Sequence, residues 1–467
     1  MTSVVASTKA KGRQRFFSWG SNASGVLGVG DFEDKALPVV LPFAELGDSA
    51  EIETGGCHAV IVNSDGRVFS TGNNDQGQLG DEEFLGKSRS NFGVVRALGS
   101  TRIRRVACGW AHTLAFGDDG TQVYGWGLGK HGQLGVPMAA GLTAISSPAL
   151  IPLPDTAQGV PVISIACGWK HSLLLLEDGR IYSTGSNAHG QLGHVKSAGS
   201  CVQQSSSVKG KRRHFRGDDE NQFFFSCVEF PDVADFQCCQ IVCGWLHSAA
   251  LGLCSMDQTI ECARSQIYTW GSNKHGQLGH ESEKRGELKC WIPRRTSSRF
   301  DNANVVQIQS GWSHMLALTD DGAVYSWGRD NYGQCGRGSV CDTKEELAVN
   351  ASGAIERVIL PGKAQKIACG SEHGAAIVGD DLYTWGWSEH GNLGHAEGKQ
   401  TASFAFSELD STARNTLFVS VPAKVDFSSA RPMAMESADP MKISNIICGG
   451  AVCFCTVSSR HERLNTQ

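Results

Sequence analysis

Short apolar segments, each interrupted by a polar turn, recur along the chain. Two clear examples are HSLLLLEDGRIYSTG (171–185) and HMLALTDDGAVYSWG (314–328), in which two apolar, β-prone stretches flank an Asp-Gly step. Glycine accepts the positive φ that a tight hairpin needs, so each segment predicts two antiparallel strands joined by that turn. The repeating segments lack the 3.6-residue period of an amphipathic helix. The pattern predicts an all-β protein.

A glycine-rich motif follows each predicted hairpin and occurs seven times. The copies are SWGSNASGVLG (18–28), STGNNDQGQLG (70–80), GWGLGKHGQLG (125–135), STGSNAHGQLG (183–193), TWGSNKHGQLG (269–279), SWGRDNYGQCG (326–336) and TWGWSEHGNLG (384–394). Their leading glycines are Gly20, Gly72, Gly127, Gly185, Gly271, Gly328 and Gly386, at intervals of 52, 55, 58, 86, 57 and 58 residues. A steady period of this length is typical of a repeat architecture.

A second motif, a small residue followed by Gly-x-x-His, precedes the first in each repeat. Its histidines are His58, His112, His171, His247, His314 and His373. A seventh copy, Cys448-Gly449, has Val452 in place of histidine. We expect these histidines to form hydrogen bonds across adjacent repeats, with their polar tips satisfied by the backbone.

Units of four short strands repeated radially form a propeller, so seven units predict seven blades. The chain opens with a lone Trp19-Gly20 motif and closes with a lone Cys448-Gly449 motif, so each end carries the half that the other lacks. The N- and C-terminal strands should therefore share one blade, which removes exposed sheet edges. The predicted organisation is a tail (1–15), a propeller (16–457) with inserted loops at about 194–236, 281–303, 337–362 and 395–442, and a second tail (458–467).

Composition limits the classes of function. The 467 residues are 40% hydrophobic and 19% charged, with a formal net charge of -5, so no general affinity for nucleic acid or anionic membranes is indicated. We find no signal-peptide core and no apolar stretch long enough for a membrane span, and expect a cytoplasmic protein with the nucleus as a second location. The 17 cysteines then read as small reduced core residues.

The longest interval contains a serine-rich and basic stretch. It comprises Ser205, Ser206 and Ser207, then Lys209, Lys211, Arg212, Arg213 and Arg216, followed by Asp218, Asp219 and Glu220. Such a stretch is usually a solvated loop, and the alternative is a nuclear-import or acidic-partner patch. Long loops on a rigid ring are also a usual place for partner specificity.

The paired signatures, Cys-Gly-x-x-His followed by Trp-Gly-x-Asn-x-x-Gly-Gln-Leu-Gly, resemble the regulator of chromosome condensation repeat family. The resemblance runs from about Phe16 to Val457 and implies a seven-bladed propeller. Three stretches resemble the secretion-regulating guanine nucleotide exchange factor group within it. They are ACGWAHTLAF to GQLGVP (107–137), SGWSHMLALTDDGAVYSWGRDNYGQCGRG (310–338) and ACGSEHGAAIVGDDLYTWGWSEHGNLG (368–394).

Four tryptophans follow the motif glycine in consecutive repeats: Trp110, Trp169, Trp245 and Trp312. They should occupy equivalent angular positions on one face, either as inter-blade packing or as an exposed contact surface. The set resembles the plant ultraviolet-B photoreceptor of the same family, whose Gly-Trp-Arg-His repeats stack tryptophan with arginine across a dimer. Here the following residues are Ala111, Lys170, Leu246 and Ser313, so cation–π pairing of that kind is not expected.

In the chromatin-bound Ran exchanger of the family, acidic residues occupy the two positions between glycine and histidine, on the face that engages the GTPase. In this chain Glu372 is the one acidic residue at those positions. The resemblance therefore argues against Ran as the client and leaves another small GTPase open. Candidate partner-binding residues are the four tryptophans with Lys170 and Glu372.

No metal or cofactor site is predicted. The Cys-x-x-x-His spacing resembles half of a metal site, but one copy in each blade cannot converge on one zinc ion. The cysteines around Cys238, Cys239, Cys243, Cys254 and Cys262 do not form repeated CxxC pairs, so buried packing is favoured over a redox or metal role. We find no phosphate-binding GxxxxGK[ST] loop and no assignable hydrolytic residues.

The sequence thus predicts a propeller that binds other proteins, with guanine nucleotide exchange on a small GTPase as the first hypothesis. Exchange requires only tighter binding of the nucleotide-free GTPase. The alternatives are a scaffold without exchange activity and, third, an ultraviolet-B photoreceptor-like dimer. The client and the oligomeric state remain open at this level.

Overall fold

The computed structural model describes residues 14–43, 50–194, 221–231, 236–254, 264–280, 288–297, 300–301, 303–338, 354–395, 418–427 and 441–459. These residues form 28 strands in seven four-stranded antiparallel sheets. Within them, helical structure is limited to single 3-10 turns at Glu82–Phe84, Arg96–Leu98 and Asp155–Ala157. No helix of the described part is long and apolar enough to cross a bilayer.

Each sheet is one blade, and the first blade draws on both ends of the chain. Blade 1 contains β1 (Gln14–Gly20), β2 (Lys35–Val40), β27 (Met441–Cys448) and β28 (Val452–Ser459). Blade 2 contains β3 (Glu51–Thr54), β4 (His58–Val62), β5 (Val68–Asn73) and β6 (Ser88–Val94). Blade 3 contains β7 (Ile103–Cys108), β8 (His112–Gly117), β9 (Val123–Leu128) and β10 (Ala144–Ile151).

The remaining blades follow in chain order. Blade 4 contains β11 (Val162–Cys167), β12 (His171–Leu176), β13 (Ile181–Ser186) and β14 (Asn221–Cys227). Blade 5 contains β15 (Gln237–Cys243), β16 (His247–Cys254), β17 (Arg264–Ser272) and β18 (Lys289–Arg295). Blade 6 contains β19 (Val305–Ser310), β20 (His314–Thr319), β21 (Val324–Gly328) and β22 (Glu356–Val358). Blade 7 contains β23 (Ala364–Cys369), β24 (His373–Val378), β25 (Asp381–Trp387) and β26 (Phe418–Lys424).

Burial within a blade explains the apolar pattern of the sequence. The second strand of a blade is covered on both faces by neighbouring blades, and every residue of β8, β12 and β20 is buried. The first strand of each blade lines a central channel with a volume of about 810 Å³. The hydrophobic clusters lie between blades; one of them joins Leu114 and Phe116 of blade 3 to Leu174 and Leu176 of blade 4. The blades are therefore held together by contacts between sheets.

The two ends of the chain close the ring, as the sequence predicted. β1 pairs with β28 over seven residues, from Gln14 opposite Ser458 to Gly20 opposite Val452. Trp19 in β1 is fully buried, and its indole Nε1 donates to the carbonyl oxygen of Asn392 in blade 7 at 3.1 Å. Seven blades with shared termini are thus confirmed.

The motif tryptophans make the same link between other blades. Trp126, Trp270, Trp327 and Trp385 are fully buried. Their Nε1 atoms donate to the carbonyl oxygens of Gln78, Gln191, Gln277 and Gln334 of the preceding blade at 2.9–3.0 Å. The leading glycine of each motif has a φ between 93° and 112°, which side chains rarely adopt. The two conspicuous residues of the motif are therefore architectural.

The four ranges predicted as inserted loops each contain an outer strand, so that prediction was wrong for part of each range. β14, β18, β22 and β26 lie within them. Outer strands are solvent-exposed on one side and mix polar residues and proline with apolar ones, as in KCWIPRR and FVSVPAK, so they lack the apolar pattern of the inner strands. The serine-rich and basic stretch of 205–220 lies outside the described residues, as do most of the two predicted tails.

Candidate partner-binding face

Strand pairing places both sequence motifs at the same end of the propeller. His112 at the start of β8 lies opposite Gly127 near the end of β9, and the other histidines pair with their motif glycines in the same way. The Gly-x-x-His turns and the loops that follow the leading glycines therefore share one face. We call it the tryptophan face, because the four predicted tryptophans lie in its central turns.

Backbone hydrogen bonds connect most of these turns around the channel mouth. The Trp110 N–H donates to the Gly168 oxygen at 3.2 Å, the Trp245 N–H to the Trp312 oxygen at 3.1 Å, and the Trp312 N–H to the Ser371 oxygen at 2.9 Å. Further bonds join Ser371 to Gly449 and Gly450, and Gly450 to Gly55. The turns thus support one another around the axis instead of projecting independently.

The four tryptophans converge over the channel mouth. The Trp110 and Trp245 rings are stacked at 6.1 Å with an interplanar angle of 8°, and Trp245 meets Trp312 edge to face at 4.1 Å. Trp169 contacts Trp245 at 5.1 Å. The tryptophans of different blades contact one another because the turns point toward the axis and the side chain is long enough to reach its neighbours there. The rings pack between blades and also present surface, with Trp110 36% exposed.

The aromatic cluster occupies one half of the ring. Blades 7, 1 and 2 carry Ser371, Gly450 and Gly56 at the position that the tryptophans hold in blades 3 to 6. A Cβ at Gly56 would lie 2.7 Å from the Trp110 ring, so the small residues leave space for the cluster. The face is therefore asymmetric despite the sevenfold fold.

Charge follows the same division. Blades 3, 4 and 5 carry basic side chains on this face, namely Lys130, Lys170 and Lys274, and blade 6 carries Arg329, whose charge is paired with that of Glu372. The loops of blades 1, 2 and 7 place exposed acidic side chains on the other half, namely Asp34, Asp75 and Glu389. An acidic surface would be attracted to the tryptophan half and repelled by the other, which would fix its orientation.

Lys170 is part of the aromatic cluster. Its ammonium nitrogen lies 3.9 Å from the centroid of the Trp169 ring, a cation–π contact within the chain. Partial burial, together with the nearby positive charge of Lys130, lowers the pKa of Lys170. This contact lies within one chain and uses a lysine, unlike the arginine stacking across a dimer in the photoreceptor that the motif resembles.

Glu372 does not contribute an exposed acid to the face. Its side chain is buried, forms an ion pair with the Arg329 guanidinium at 2.8 Å and contacts the amide of Gln334. Burial raises the pKa of Glu372, and the Arg329 charge opposes that rise. The neighbouring blade supplies a cation that covers the carboxylate, so the acidic group predicted as a partner contact lies in an intramolecular ion pair.

The motif histidines link each blade to the next, below the face. His58 Nε2 lies 2.9 Å from the Thr113 hydroxyl, His112 Nε2 lies 2.9 Å from the Ser172 hydroxyl, and His171 Nε2 lies 3.0 Å from the Ser248 hydroxyl. The partner is thus a side-chain hydroxyl of the next blade, where the sequence suggested backbone. The hydroxyl is the residue that follows the next histidine, a position that the motif left undefined.

Those hydroxyls define the histidine tautomer. The Thr113 hydroxyl donates to the Gln78 carbonyl at 3.1 Å, and Ser172 and Ser248 donate to the carbonyls of Gln133 and Gln191. A hydroxyl that donates its one proton there must accept from the histidine, so the proton lies on Nε2. Burial lowers the pKa of His58 and His112 to about 3, which keeps the rings neutral.

The later blades depart from this link. His247 Nε2 lies between Met315 Sδ and the Ser310 hydroxyl, at 3.3 and 3.0 Å. His314 faces Gly374 and its Nε2 has no hydrogen-bond partner among the described residues. A Cβ at Gly374 would lie 2.6 Å from the Trp385 ring, so no hydroxyl fits there.

In blade 1, which closes the ring, the group that faces the histidine of blade 7 is a thiol. His373 Nε2 lies 3.3 Å from Cys453 Sγ, and Cys448 Sγ lies 3.1 Å from the same sulfur. These three donor atoms are close enough together to be compared with a metal site, and they come from two neighbouring blades and include one motif histidine. The cysteines around Cys238 behave differently: Cys238 is buried, Cys239 is exposed on the opposite side of β15, and Cys262 lies outside the described residues.

Sequence comparison identifies the family. The model of the RCC1-like domain matches residues 15–455. The chain belongs to this family. It is 32% identical over 400 residues to the secretion-regulating guanine nucleotide exchange factor of Bos taurus, a match that spans 81% of this chain and 75% of the relative. It is 28% identical over 386 residues to the ultraviolet-B receptor UVR8 of Arabidopsis thaliana, spanning 81% and 74%. The resemblance predicted from the paired motifs is confirmed.

Solved structures show the same fold. Prp20p of Saccharomyces cerevisiae, whose crystal structure was described together with its binding to Gsp1p and histones, has a TM-score of 0.69 at 20% identity and is similar over 97% of this chain and 93% of its own. Human WBSCR16 has a TM-score of 0.70 at 20% identity over 96% and 100%. At this identity the likeness concerns the propeller alone.

Several residues of the face were not identified from the sequence. Lys130 and Lys274 lie three positions after a leading glycine and Arg329 lies one position after, in the loop that the motif itself defines. Comparison of this loop between repeats would have shown basic residues in three of the four blades that carry tryptophan. The signal was present, but it appears only when the two motifs are known to share a face.

Proposed function

We propose that this propeller binds an acidic surface of a small GTPase through the tryptophan face and promotes release of its guanine nucleotide. The observation that carries the proposal is the coincidence of the four tryptophans with Lys130, Lys170 and Lys274 on the same half of the face. Tryptophan is one of the usual anchors of protein interfaces, and surrounding basic side chains steer an acidic partner toward it. The similarity to a guanine nucleotide exchange factor supports a GTPase as the partner.

The aromatic cluster is arranged to anchor a partner. The Trp245 Nε1 atom is buried and has no hydrogen-bond acceptor among the described residues. A buried donor without a partner costs on the order of 1–3 kcal/mol, which favours a rearrangement of the cluster that gives it an acceptor. Trp110 supplies exposed ring surface beside it, and Lys170 supplies a positive charge held in place by the Trp169 ring.

Exchange through such a face needs no reacting residue. The propeller accelerates release if it binds the nucleotide-free GTPase more tightly than the loaded one. A hundredfold preference corresponds to about 2.7 kcal/mol, which a few well-packed anchors supply. The side chains named here bind and orient, and chemistry on the nucleotide is not required.

Nucleotide-release kinetics test the proposal. A panel of small GTPases loaded with fluorescent GDP is mixed with the propeller in excess unlabelled nucleotide, and the release rate is measured. We expect acceleration with at least one member, and a loss of at least tenfold in the variant Trp110→Ala. Phe224→Ala is the matched control, because Phe224 is a 55% exposed aromatic on the outer strand β14, away from the face. No acceleration with any member at stoichiometric propeller would remove exchange from the proposal.

Charge reversal tests the orientation of the partner. Lys130→Glu should slow association with the responsive GTPase and flatten its dependence on salt, because the positive half of the face would be weakened. Lys363→Glu is the control, since Lys363 precedes β23 at the opposite end of the propeller. Equal effects of the two variants would show that net charge, and not this face, governs binding.

A scaffold without exchange activity is the second candidate. The burial of Glu372 favours it, because none of the described Gly-x-x-His turns then presents a free carboxylate to a GTPase. Affinity capture with GDP, with GTP, and with EDTA to remove nucleotide separates the two functions. Enrichment of a GTPase in the EDTA sample supports exchange, whereas partners that ignore the nucleotide support a scaffold.

A further inference from the structure

The closing blade sets two thiols against each other. In every blade the residue before the motif glycine pairs across the hairpin with the residue after the histidine position. The other described pairs are Thr54 with Ala59, Cys108 with Thr113, Cys167 with Ser172, Cys243 with Ser248, Ser310 with Met315 and Cys369 with Gly374. In blade 1 the pair is Cys448 with Cys453.

The geometry of this pair is suited to a covalent bond. The two sulfurs lie 3.1 Å apart, on residues directly opposite in adjacent antiparallel strands. Opposed residues in such strands have Cα atoms about 4.5–5.5 Å apart, within the range that a disulfide spans. The turn between them begins with Gly449 and Gly450, which lets the hairpin end adjust.

The two thiols differ in access. Cys448 is partly exposed and lines both the central channel of about 810 Å³ and its narrower mouth of about 110 Å³ beside the tryptophans. Cys453 is fully buried, 3.4 Å from the Asn392 carbonyl and 3.3 Å from His373 Nε2. A small oxidant in the channel therefore reaches Cys448 first.

The two thiols also differ in pKa, and the more accessible one has the lower value. Burial acts to raise the pKa of Cys448, but hydrogen bonds from the Cys453 thiol and from His373 lower it to about 6. Burial and the Cys448 charge raise the pKa of Cys453 well above its usual range. The pair thus shares one proton, with the thiolate on the accessible sulfur and the proton on the enclosed one.

We propose that Cys448 and Cys453 form a site of reversible oxidation, in which a peroxide entering the channel converts the dithiol to a disulfide across β27 and β28. The bond would remove the thiol proton that Cys453 shares with Asn392. It would also link two strands of the blade that closes the ring, directly beneath the tryptophan face.

The reaction balances with one molecule of hydrogen peroxide. The Cys448 thiolate attacks one peroxide oxygen, the O–O bond breaks, and the hydroxide released takes up a proton to become water, leaving Cys448 as a sulfenic acid. The Cys453 sulfur then attacks Cys448 Sγ, the S–S bond forms, the S–O bond breaks, and the hydroxide leaves as a second water with the Cys453 proton. Two thiols lose two electrons, and the peroxide gains them.

Zinc binding by the same residues is less favoured by the geometry. Two thiolates on a tetrahedral zinc, with Zn–S bonds of about 2.3 Å, lie about 3.8 Å apart, farther than the observed 3.1 Å. Among the described residues, His373, Cys448 and Cys453 form a set of three donors, one fewer than a structural zinc site uses. The arrangement fits two sulfurs approaching each other better than it fits a shared ion.

Differential alkylation of the full-length protein tests the proposal. Protein reduced and then freed of reductant is exposed to a small excess of hydrogen peroxide, and its free thiols are blocked with iodoacetamide. After reduction, newly freed thiols are labelled with N-ethylmaleimide. The tryptic peptide 443–460 contains Cys448, Cys453 and Cys455, so the buried Cys455 is an internal control. We expect maleimide on Cys448 and Cys453, iodoacetamide on Cys455, and full reversal by dithiothreitol.

Two variants test the mechanism, and each introduces a residue that another blade carries at the equivalent position. Cys453→Ser reproduces the serine of blades 4 and 5, and should leave Cys448 as a sulfenic acid that dimedone captures. Cys243→Ser removes a channel-lining thiol that faces serine, and should leave the disulfide yield unchanged. Maleimide on Cys448 without Cys453, or on Cys455, would overturn the proposal. So would one equivalent of co-purified zinc that protects both thiols from peroxide.

Discussion

The buried histidine links predict that this propeller is sensitive to mild acid. Burial lowers the pKa of His58, His112, His247 and His314 to about 3 and that of His171 to about 4, against a usual value near 6.5 in an unfolded chain. Since the folded pKa lies below the unfolded one, the stabilisation is complete above pH 6.5. It is lost as the pH falls from 6.5 toward the pKa values of the folded protein, because the unfolded chain then binds protons that the folded protein does not bind.

The size of the effect follows from the number of links. Each such histidine costs about 1.4 kcal/mol of stability per pH unit below ~6.5, so five of them cost about 7 kcal/mol between pH 7.5 and 5.5. Asp330 acts in the opposite direction, because burial raises its pKa to about 7, and returns about 2 kcal/mol. The net loss of about 5 kcal/mol is a large part of the ~5–15 kcal/mol typical of a folded protein.

Glu53 changes stability with pH in the same direction as Asp330, but by a smaller amount. Enclosure by the ring raises the pKa of Glu53 to about 7, yet its side chain is exposed to the open channel, where water screens the charge. Its contribution to the pH dependence of stability is therefore small. His275 and His280, whose pKa values burial lowers to about 4, add to the loss at low pH.

Urea unfolding followed by tryptophan fluorescence at several pH values between 7.5 and 5 measures this loss. The variant His112→Gln should be less stable than the wild type at pH 7.5, and its stability should fall less steeply below pH 6.5, by about 1.4 kcal/mol per pH unit. Trp270→Phe is the control, since it removes the bond to the Gln191 carbonyl without removing a titrating group. An unchanged slope in His112→Gln would refute the reasoning, because it would mean that the histidine titrates alike in both states.

Three further predictions concern the architecture. Trp19→Ala should cost about 3–5 kcal/mol of stability, because it leaves a cavity between blades 7 and 1. Trp19→Phe should cost about 1 kcal/mol, because the Asn392 carbonyl still accepts a hydrogen bond from the Cys453 thiol. Calorimetry distinguishes the two variants. Gly185→Ala should lower the stability measured in urea titrations by more than 1 kcal/mol, because φ is +112° and the new Cβ would lie 2.3 Å from the Lys170 carbonyl oxygen. Gly141→Ala is the control and should cost less, because a Cβ there meets nothing within 4 Å. Removal of residues 14–20 should open the ring and increase protease cleavage across all blades, in contrast to a cut confined to blade 1.

The fold was predictable because its information is local. Each blade carries its own hairpin, its own leading glycine and its own tryptophan or histidine, so the period, the number of blades and the shared first blade follow from the order of short motifs. The outer strands β14, β18, β22 and β26 were not predictable in the same way. They pack on one side and their residues vary between blades, so no common pattern marks them.

The face was predictable in part. The sequence places Trp110 and its three counterparts on one face, but their convergence depends on the radius of the ring, which no single repeat encodes. The burial of Glu372 depends on Arg329, a residue of the neighbouring blade that is 43 positions away along the chain. Contacts of this kind arise when blades are set side by side, and the motifs describe blades one at a time.

The pairing of β1 with β28 also determines where attachments can be made. Gln14 and Ser458 lie opposite each other, at the end of the propeller remote from the tryptophan face. A short engineered loop between these two strands would resemble an ordinary hairpin, and new termini could then be opened between any other two blades. Such circular permutants should fold to the same ring, and a tag or surface tether fused near either strand would leave the tryptophan face unobstructed.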